Sequence, residues 1–178
     1  MRVISGSARG RKLQAPPGRG TRPITDRAKE GIFNMLESLG GVDGVVVVDL
    51  FAGSGSFGIE SLSRGAAQAV FVERDRTALQ TLRANIETLG FGDRATVIAG
   101  SVTTALTALP PADIAFCDPP YADDPWCDLL TTLDADLLVG HAETPVPLTD
   151  RWEELRRRTY GKANIVVARR VEGPLPST

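Results

Sequence analysis

The chain has 178 residues, 42% of them apolar, and a formal net charge of −2; that is room for one domain with a sizeable core and too little for two full ones. No uninterrupted apolar run is long enough to span a membrane, and the basic N-terminus carries no apolar signal core, so a cytoplasmic protein with no membrane partner is expected. Cys117, Cys127 and the single histidine, His141, do not make a zinc set, which leaves reduced thiols and no metal as the simplest reading.

The small net charge conceals a pattern. Residues 1–30 hold eight Arg and Lys against two acids, a net +6, and residues 151–170 hold seven against two, a net +5, leaving −13 for the rest. Basic ends on an acidic body point to an anionic partner, with Arg2, Arg9, Arg11, Lys12 and Arg22 as its candidate contacts at the N-terminal end. There, Val3-Ile4 and Lys12-Leu13-Gln14 flank a glycine-containing turn, which predicts a small two-stranded hairpin with arginines at its tip. Residues 1–20 thus read as a basic hairpin or arm, closed by the loop Pro16-Pro17-Gly18-Arg19-Gly20, and residues 21–178 as the main domain.

A helix opens at Arg22-Pro23-Ile24-Thr25-Asp26, with Ala28, Ile32, Leu36 and Leu39 at helical spacing and Gly40-Gly41 as its stop. Val45 to Val48 is a β-branched run that reads as a strand buried on both faces. It leads into Asp49-Leu50-Phe51-Ala52-Gly53-Ser54-Gly55-Ser56-Phe57-Gly58, and a helix-like segment from Ile59 to Arg64 follows, closed by Gly65. Ala69 to Glu73 is a second strand, and Asp75 starts a helix that Gly90 ends. Ala95 to Ala99 is a third strand, Val102 to Leu109 a short helix, and Ala112 to Cys117 a fourth strand ending in Asp118-Pro119-Pro120-Tyr121. Asp124 to Leu133 reads as a helix and Leu137 to Val139 as the core of a fifth strand. Trp152 to Tyr160 and Ala163 to Ala168 read as a closing antiparallel hairpin about Gly161-Lys162. Strands alternating with helices predict a doubly wound, mostly parallel sheet with an antiparallel C-terminal edge.

In such sheets ligands sit at the C-terminal ends of the strands. Asp49, Glu73, the Ala99-Gly100-Ser101 turn and Asp118 all fall there. The spacing Gly53-x-Gly55-x-x-Gly58 lets a ligand lie against the bend and meet the N–H groups of a helix N-terminus, and Glu73 stands where an acid takes ribose hydroxyls. This stretch alone fits NAD or S-adenosylmethionine; Asp49 favours the latter, because it suits a cationic amino group and no pyrophosphate. The second motif bears on the chemistry. Two prolines stiffen the turn and would fix the Asp118 carboxylate and the Pro119 carbonyl as two acceptors, while Tyr121 offers a ring for stacking a planar base. Acceptors for both hydrogens of an exocyclic amine would aim its lone pair at an incoming methyl group.

Together these motifs resemble the class I S-adenosylmethionine-dependent methyltransferases that modify exocyclic amines. The block Arg22-Pro23-x-Thr25-Asp26-Arg27-x-Lys29-Glu30-x-x-Phe33-Asn34 is similar, more narrowly, to the bacterial 16S ribosomal RNA guanine-N2 methyltransferases of the RsmD type. The resemblance runs essentially end to end. It implies a Rossmann-like, seven-stranded sheet and methyl transfer to guanine 966 of 16S rRNA, free or in a small-subunit assembly intermediate, by a monomer. It also implies that Asp49, Phe51, Gly53 and Gly55, helped by Thr25, hold the amino-acid part of the cofactor, that Glu73 takes the ribose, and that Arg74 lies beside the adenine. Asp118, Pro119 and Tyr121 would hold the target guanine. Ser101 stands where such enzymes commonly carry an acid near the adenine, and the connection from Leu133 to Leu137 is shorter than is usual. The alternatives are an adenine-N6 methyltransferase of DNA or RNA, a nicotinamide-dependent oxidoreductase, which would leave Asp118 to Tyr121 without work, and a non-catalytic RNA-binding module.

Overall fold

The structure is a computed structural model that describes residues 1–16, 24–120 and 125–171. Arg22, Tyr121, the Pro17–Gly20 part of the expected loop and the expected helix starts at Pro23 and Asp124 lie outside the described residues. Among the described residues seven strands form one sheet: β1 (Val46–Leu50), β2 (Gln68–Glu73), β3 (Ala95–Ala99), β4 (Ala112–Cys117), β5 (Ala135–Ala142), β6 (Trp152–Tyr160) and β7 (Ala163–Arg170). Their order is β3-β2-β1-β4-β5-β7-β6, parallel up to β5 and antiparallel in the β5–β7 and β7–β6 pairs.

Strand alternation sends successive side chains to opposite faces and so builds two apolar layers. On one face, Val47, Ala69, Phe71, Ile114, Phe116, Val139, Ile165 and Val167 pack beneath α1 (Asp26–Glu37), α2 (Ser56–Ser63) and α3 (Arg76–Leu89). On the other, Val48, Leu50, Val70, Val72, Ala115, Cys117, Leu138, Val166 and Ala168 pack beneath α4 (Val102–Ala105) and α5 (Trp126–Thr132). Phe116, the penultimate residue of β4, stacks on Phe57 of α2 with ring centroids 5.1 Å apart and tilts against Phe33 of α1 at 5.7 Å. The strand end that carries Asp118 is thereby wedged against both helices.

Two expected elements differ in extent. The N-terminal hairpin is present but short: Arg2 and Lys12 form its antiparallel bridge, and the Val3 and Leu13 amides donate across it to the Arg11 and Met1 carbonyls at 2.9 and 3.1 Å. Amides at and in its turn go to α2: Ile4 and Ser5 donate to the Glu60 carboxylate at 2.7 and 2.9 Å, Ser7 to the Ser63 carbonyl at 2.7 Å and Ala8 to the Ser63 hydroxyl at 2.9 Å. Val3, Ala8 and Leu13 are buried in the same apolar layer as α1 and α2. The helix expected to reach Leu109 is α-helical only to Ala105 and tightens to a 3-10 turn over Leu106–Ala108. Pro110 explains the early end, because a residue before proline is pushed to extended backbone, and Leu109 has ψ 144°.

Candidate active site

β1 and β4 are adjacent and parallel, with Leu50 level with Cys117. The bend after β1 and the proline turn after β4 therefore emerge side by side, one strand spacing of about 4.8 Å apart. Glu73 and Ser101 follow the ends of β2 and β3 on the same edge, and Arg74 comes next after Glu73. The sheet thus gathers Asp49, Phe51, Gly53, Gly55, Glu73, Arg74, Ser101, Asp118 and Pro119 along its C-terminal rim.

The bend is held by its own carboxylates. Asp49 is 1% exposed and accepts the Gly58 amide at 2.8 Å, which ties the strand to the first turn of α2. Glu73 accepts the Gly53 amide at 2.8 Å with one oxygen and the Arg74 and Asp75 amides, at 2.8 and 2.7 Å, with the other. Phe51, with φ 61°, is a non-glycine residue in the left-handed region, a strained conformation that marks a bend held in place by its surroundings. The glycines divide the work. A Cβ on Gly58 would lie 2.3 Å from the Phe71 ring and one on Gly55 2.5 Å from Leu82, so both are needed for packing, and Gly55 also for its φ of 84°. A Cβ on Gly53 would meet only the Phe51 carbonyl, at 3.9 Å, so this is the glycine that opens onto free space.

Burial raises the Asp49 pKa to about 8, and the nearby charges of Asp118 and Glu73 push in the same direction against the Gly58 hydrogen bond. Three acids from three strand ends therefore crowd one place, where a cation would relieve their repulsion and favour ionised Asp49. A ligand carrying an ammonium and a sulfonium group fits this donor set; a dinucleotide pyrophosphate would add negative charge to it. The chain's residues thus fit S-adenosylmethionine.

Other predicted residues are partly committed already. The Thr25 hydroxyl caps α1 by accepting the Ala28 amide at 3.2 Å. Ser101 caps α4 by accepting the Thr104 amide at 3.2 Å, and its hydroxyl also bonds the Thr104 hydroxyl. Arg2, Arg9, Arg11 and Lys12 are exposed on the N-terminal segment; Arg2 pairs with Asp26 at 2.9 Å and Arg11 donates to the Thr88 carbonyl at 3.1 Å.

Three residues that sequence reasoning passed over have places here. Glu60, fully buried, binds Lys29 at 3.3 Å and Arg64 at 2.9 Å as well as the Ile4 and Ser5 amides, so it bolts the basic N-terminal segment onto α2. Asn85, also buried, accepts the Gln14 amide at 2.9 Å and donates to the carbonyls of Gln14 and Ser54, joining that segment to the glycine bend. His141 on β5 places Nδ1 2.7 Å from Oδ1 of Asp118. The only sequence signal for it was that the chain has one histidine.

The sheet order, the antiparallel C-terminal hairpin and the two abutting bends define a class I, S-adenosylmethionine-dependent methyltransferase. A family model described as "Conserved hypothetical protein 95" matches residues 1–169. "Putative rRNA methyltransferase YlbH" of Bacillus subtilis is 39% identical over 181 residues, covering 94% of this chain and 97% of that protein. Ribosomal RNA small subunit methyltransferase D of Escherichia coli is 40% identical over 121 residues, covering 68% of this chain and 60% of the enzyme. The solved structure of yhhF from Escherichia coli superposes with a TM-score of 0.83 at 34% identity, covering 96% of this chain and 97% of that one. The chain belongs to this family, that of the bacterial small-subunit rRNA methyltransferase D proteins.

Proposed function

We propose that the chain transfers a methyl group from S-adenosylmethionine to the exocyclic N2 amine of a guanine in small-subunit rRNA, guanine 966 of 16S rRNA. The single observation that carries the reading is the juxtaposition of the β1 bend with the β4 proline turn at the end of adjacent strands. The names of the relatives support an rRNA substrate. The exposed arginines and lysine at the N-terminus, bolted to α2 through Glu60, suit contact with the RNA backbone.

S-adenosylmethionine, when bound, supplies an electrophilic methyl on a sulfonium. Asp49, Phe51, Gly53 and Gly55, with Thr25 of α1, would hold its amino-acid end, Glu73 would take the ribose hydroxyls, and Arg74 and Ser101 would lie beside the adenine. Asp118 and the Pro119 carbonyl would accept the two hydrogens of the guanine amine, with Tyr121, outside the described residues, as the ring expected to stack on the base. Accepting both hydrogens localises the nitrogen lone pair; as the methyl's bond to sulfur breaks and its bond to nitrogen forms, Asp118 stabilises the positive charge developing on nitrogen, which is discharged when one amine hydrogen leaves as a proton.

The test is methyl transfer from labelled S-adenosylmethionine to rRNA from cells lacking the enzyme, followed by nucleoside analysis. N2-methylguanosine supports the reading; N6-methyladenosine replaces it with the adenine alternative. Asp118→Ala is expected to lose transfer by more than about a hundredfold while cofactor affinity stays unchanged.

A further inference from the structure

We propose that His141 is a positioning residue for the methyl-acceptor site, fixing Asp118 through its Nδ1–H so that one carboxylate oxygen is held by the ring and the other is aimed at the target amine. This rests on the reading of Asp118 above.

The register places the two side by side. Cys117 pairs with Gly140 across β4 and β5, so the next residue on each strand, Asp118 and His141, stand level and on the same face. That face carries Phe116, Val139 and Ile165, the last being the register partner of His141 on β7. The ring is 4% exposed, whereas the Asp118 side chain is 34% exposed and reaches toward solvent. A carboxylate only accepts hydrogen bonds, so the proton of this contact sits on Nδ1. Nε2 is buried and has no hydrogen-bond partner among the described residues. A buried imidazole with one nitrogen unpartnered is a poor choice for a purely apolar strand position; the contact with Asp118 is what this one accomplishes.

The electrostatics agree with the geometry. Burial alone would strip the ring of its proton, but the hydrogen bond and charge of Asp118 outweigh it and the His141 pKa lies above the ordinary value of 6.5. Asp118 faces the ring from β4, and the β7 side presents Ile165, which does not titrate. Behind Asp118 lies Asp49 on β1, whose pKa the Asp118 charge raises. Above its pKa the ring is neutral, still donates from Nδ1, and leaves Asp118 the stronger acceptor. The transfer rate therefore rises with pH through the histidine titration.

His141→Leu removes the donor at similar volume, and His141→Asn keeps a donor without a titration. In single-turnover transfer at saturating cofactor, His141→Leu should lose roughly tenfold to a hundredfold, the scale of misplaced reacting groups. Cofactor affinity should stay within about twofold, which also shows that the fold is intact. His141→Asn should recover most of the rate but not the pH step. Because the chain has one histidine, NMR titration of its imidazole reads His141 without assignment. A pKa above the ordinary range that falls in Asp118→Asn supports the pairing. Full activity in His141→Leu, a pH step that persists in His141→Asn, or a histidine pKa indifferent to Asp118→Asn would each overturn the proposal. A wild-type enzyme inactive on rRNA would instead defeat the functional reading, and the NMR titration would still decide the pairing.

Discussion

Replacing Asp49 by asparagine should make the protein without its cofactor more stable and less able to bind it. The pKa of Asp49 goes from 3.8 to about 8 on folding, with desolvation as the largest cause. Between those values the folded state binds a proton that the unfolded state does not, so stability falls as pH rises from about 4 and levels off above about 8. At 1.36 kcal/mol per pKa unit, roughly 4 kcal/mol is lost between pH 4 and pH 7. The asparagine side chain would still accept the Gly58 amide through its carbonyl oxygen and has no proton to lose. Urea unfolding from pH 5 to 9 measures the difference, with Trp126 and Trp152, both buried, as fluorescent reporters. The two stability curves should diverge by about 1.4 kcal/mol per pH unit up to pH 8 and run parallel beyond it. Calorimetry should show the variant losing about tenfold to a hundredfold in cofactor affinity, the scale of one charge-assisted hydrogen bond. Wild-type binding near pH 7 should release a proton as the cation ionises Asp49. Parallel curves across the whole range, or cofactor affinity in the variant equal to wild type, would refute the account of a buried acid kept for a cation.

Glu60→Gln leaves Lys29 buried with its counter-charge gone, although the lysine also donates to the Arg2 carbonyl at 2.7 Å. A loss of about 3–5 kcal/mol is expected in urea unfolding, together with faster tryptic cleavage at Arg9 and Arg11 as the N-terminal segment loosens; an unchanged cleavage rate would separate that segment from Glu60. Gly55→Ala must hold φ 84° with a methyl 2.5 Å from Leu82 and should cost about 2–4 kcal/mol. Gly53→Ala pays only for its φ of 58°, about 1–2 kcal/mol, and should act mainly on cofactor affinity, so equal stability losses in the two would contradict the division of roles. Substituting Arg9, Arg11 and Lys12 together by Gln should reduce the salt dependence of RNA affinity by about 2 to 3 in log–log slope; an unaltered slope would return them to the role of solvated surface.

The alternation of strand and helix was legible because β-branched and apolar runs are bounded by glycine, proline and acidic residues. Ala95–Ala99 and Ala112–Cys117 fall where their sequences place them, and so does the turn at Gly161-Lys162. The fifth strand was legible only at its core. Leu137 to Val139 is its apolar centre, but pairing with β4 on one side and β7 on the other extends it from Ala135 to Ala142. Local pattern cannot supply those ends, since hydrogen bonds to neighbours far along the chain make them. The N-terminal segment was legible as a hairpin but not in what holds it. Its pattern offered a two-stranded hairpin, and Val3 and Leu13 do pair across it, but the amides of Ile4 and of its turn at Ser5, Ser7 and Ala8 are taken by a carboxylate, a hydroxyl and a carbonyl of α2, which the local pattern could not show.

The same distinction separates the site residues. Asp49, Glu73 and Asp118 announce themselves because an acid ending an apolar strand is costly without a purpose. Glu60 does not, because within its own helix it is one acid among small and apolar residues, and its partners Ile4 and Ser5 lie 56 and 55 positions away. His141 is hidden for a third reason. Its meaning depends on the register between β4 and β5: sliding the pairing by one residue would turn the ring to the opposite face, among the residues beneath α5. The register is kept by the buried faces of both strands; at its start, beside the short connecting segment Asp134-Ala135-Asp136, Ala112 donates its amide to the Asp134 carbonyl at 3.1 Å. Lengthening that connection should disturb the acceptor site before it disturbs the cofactor bend, since β1 and β2 take no part in the pairing that aligns His141.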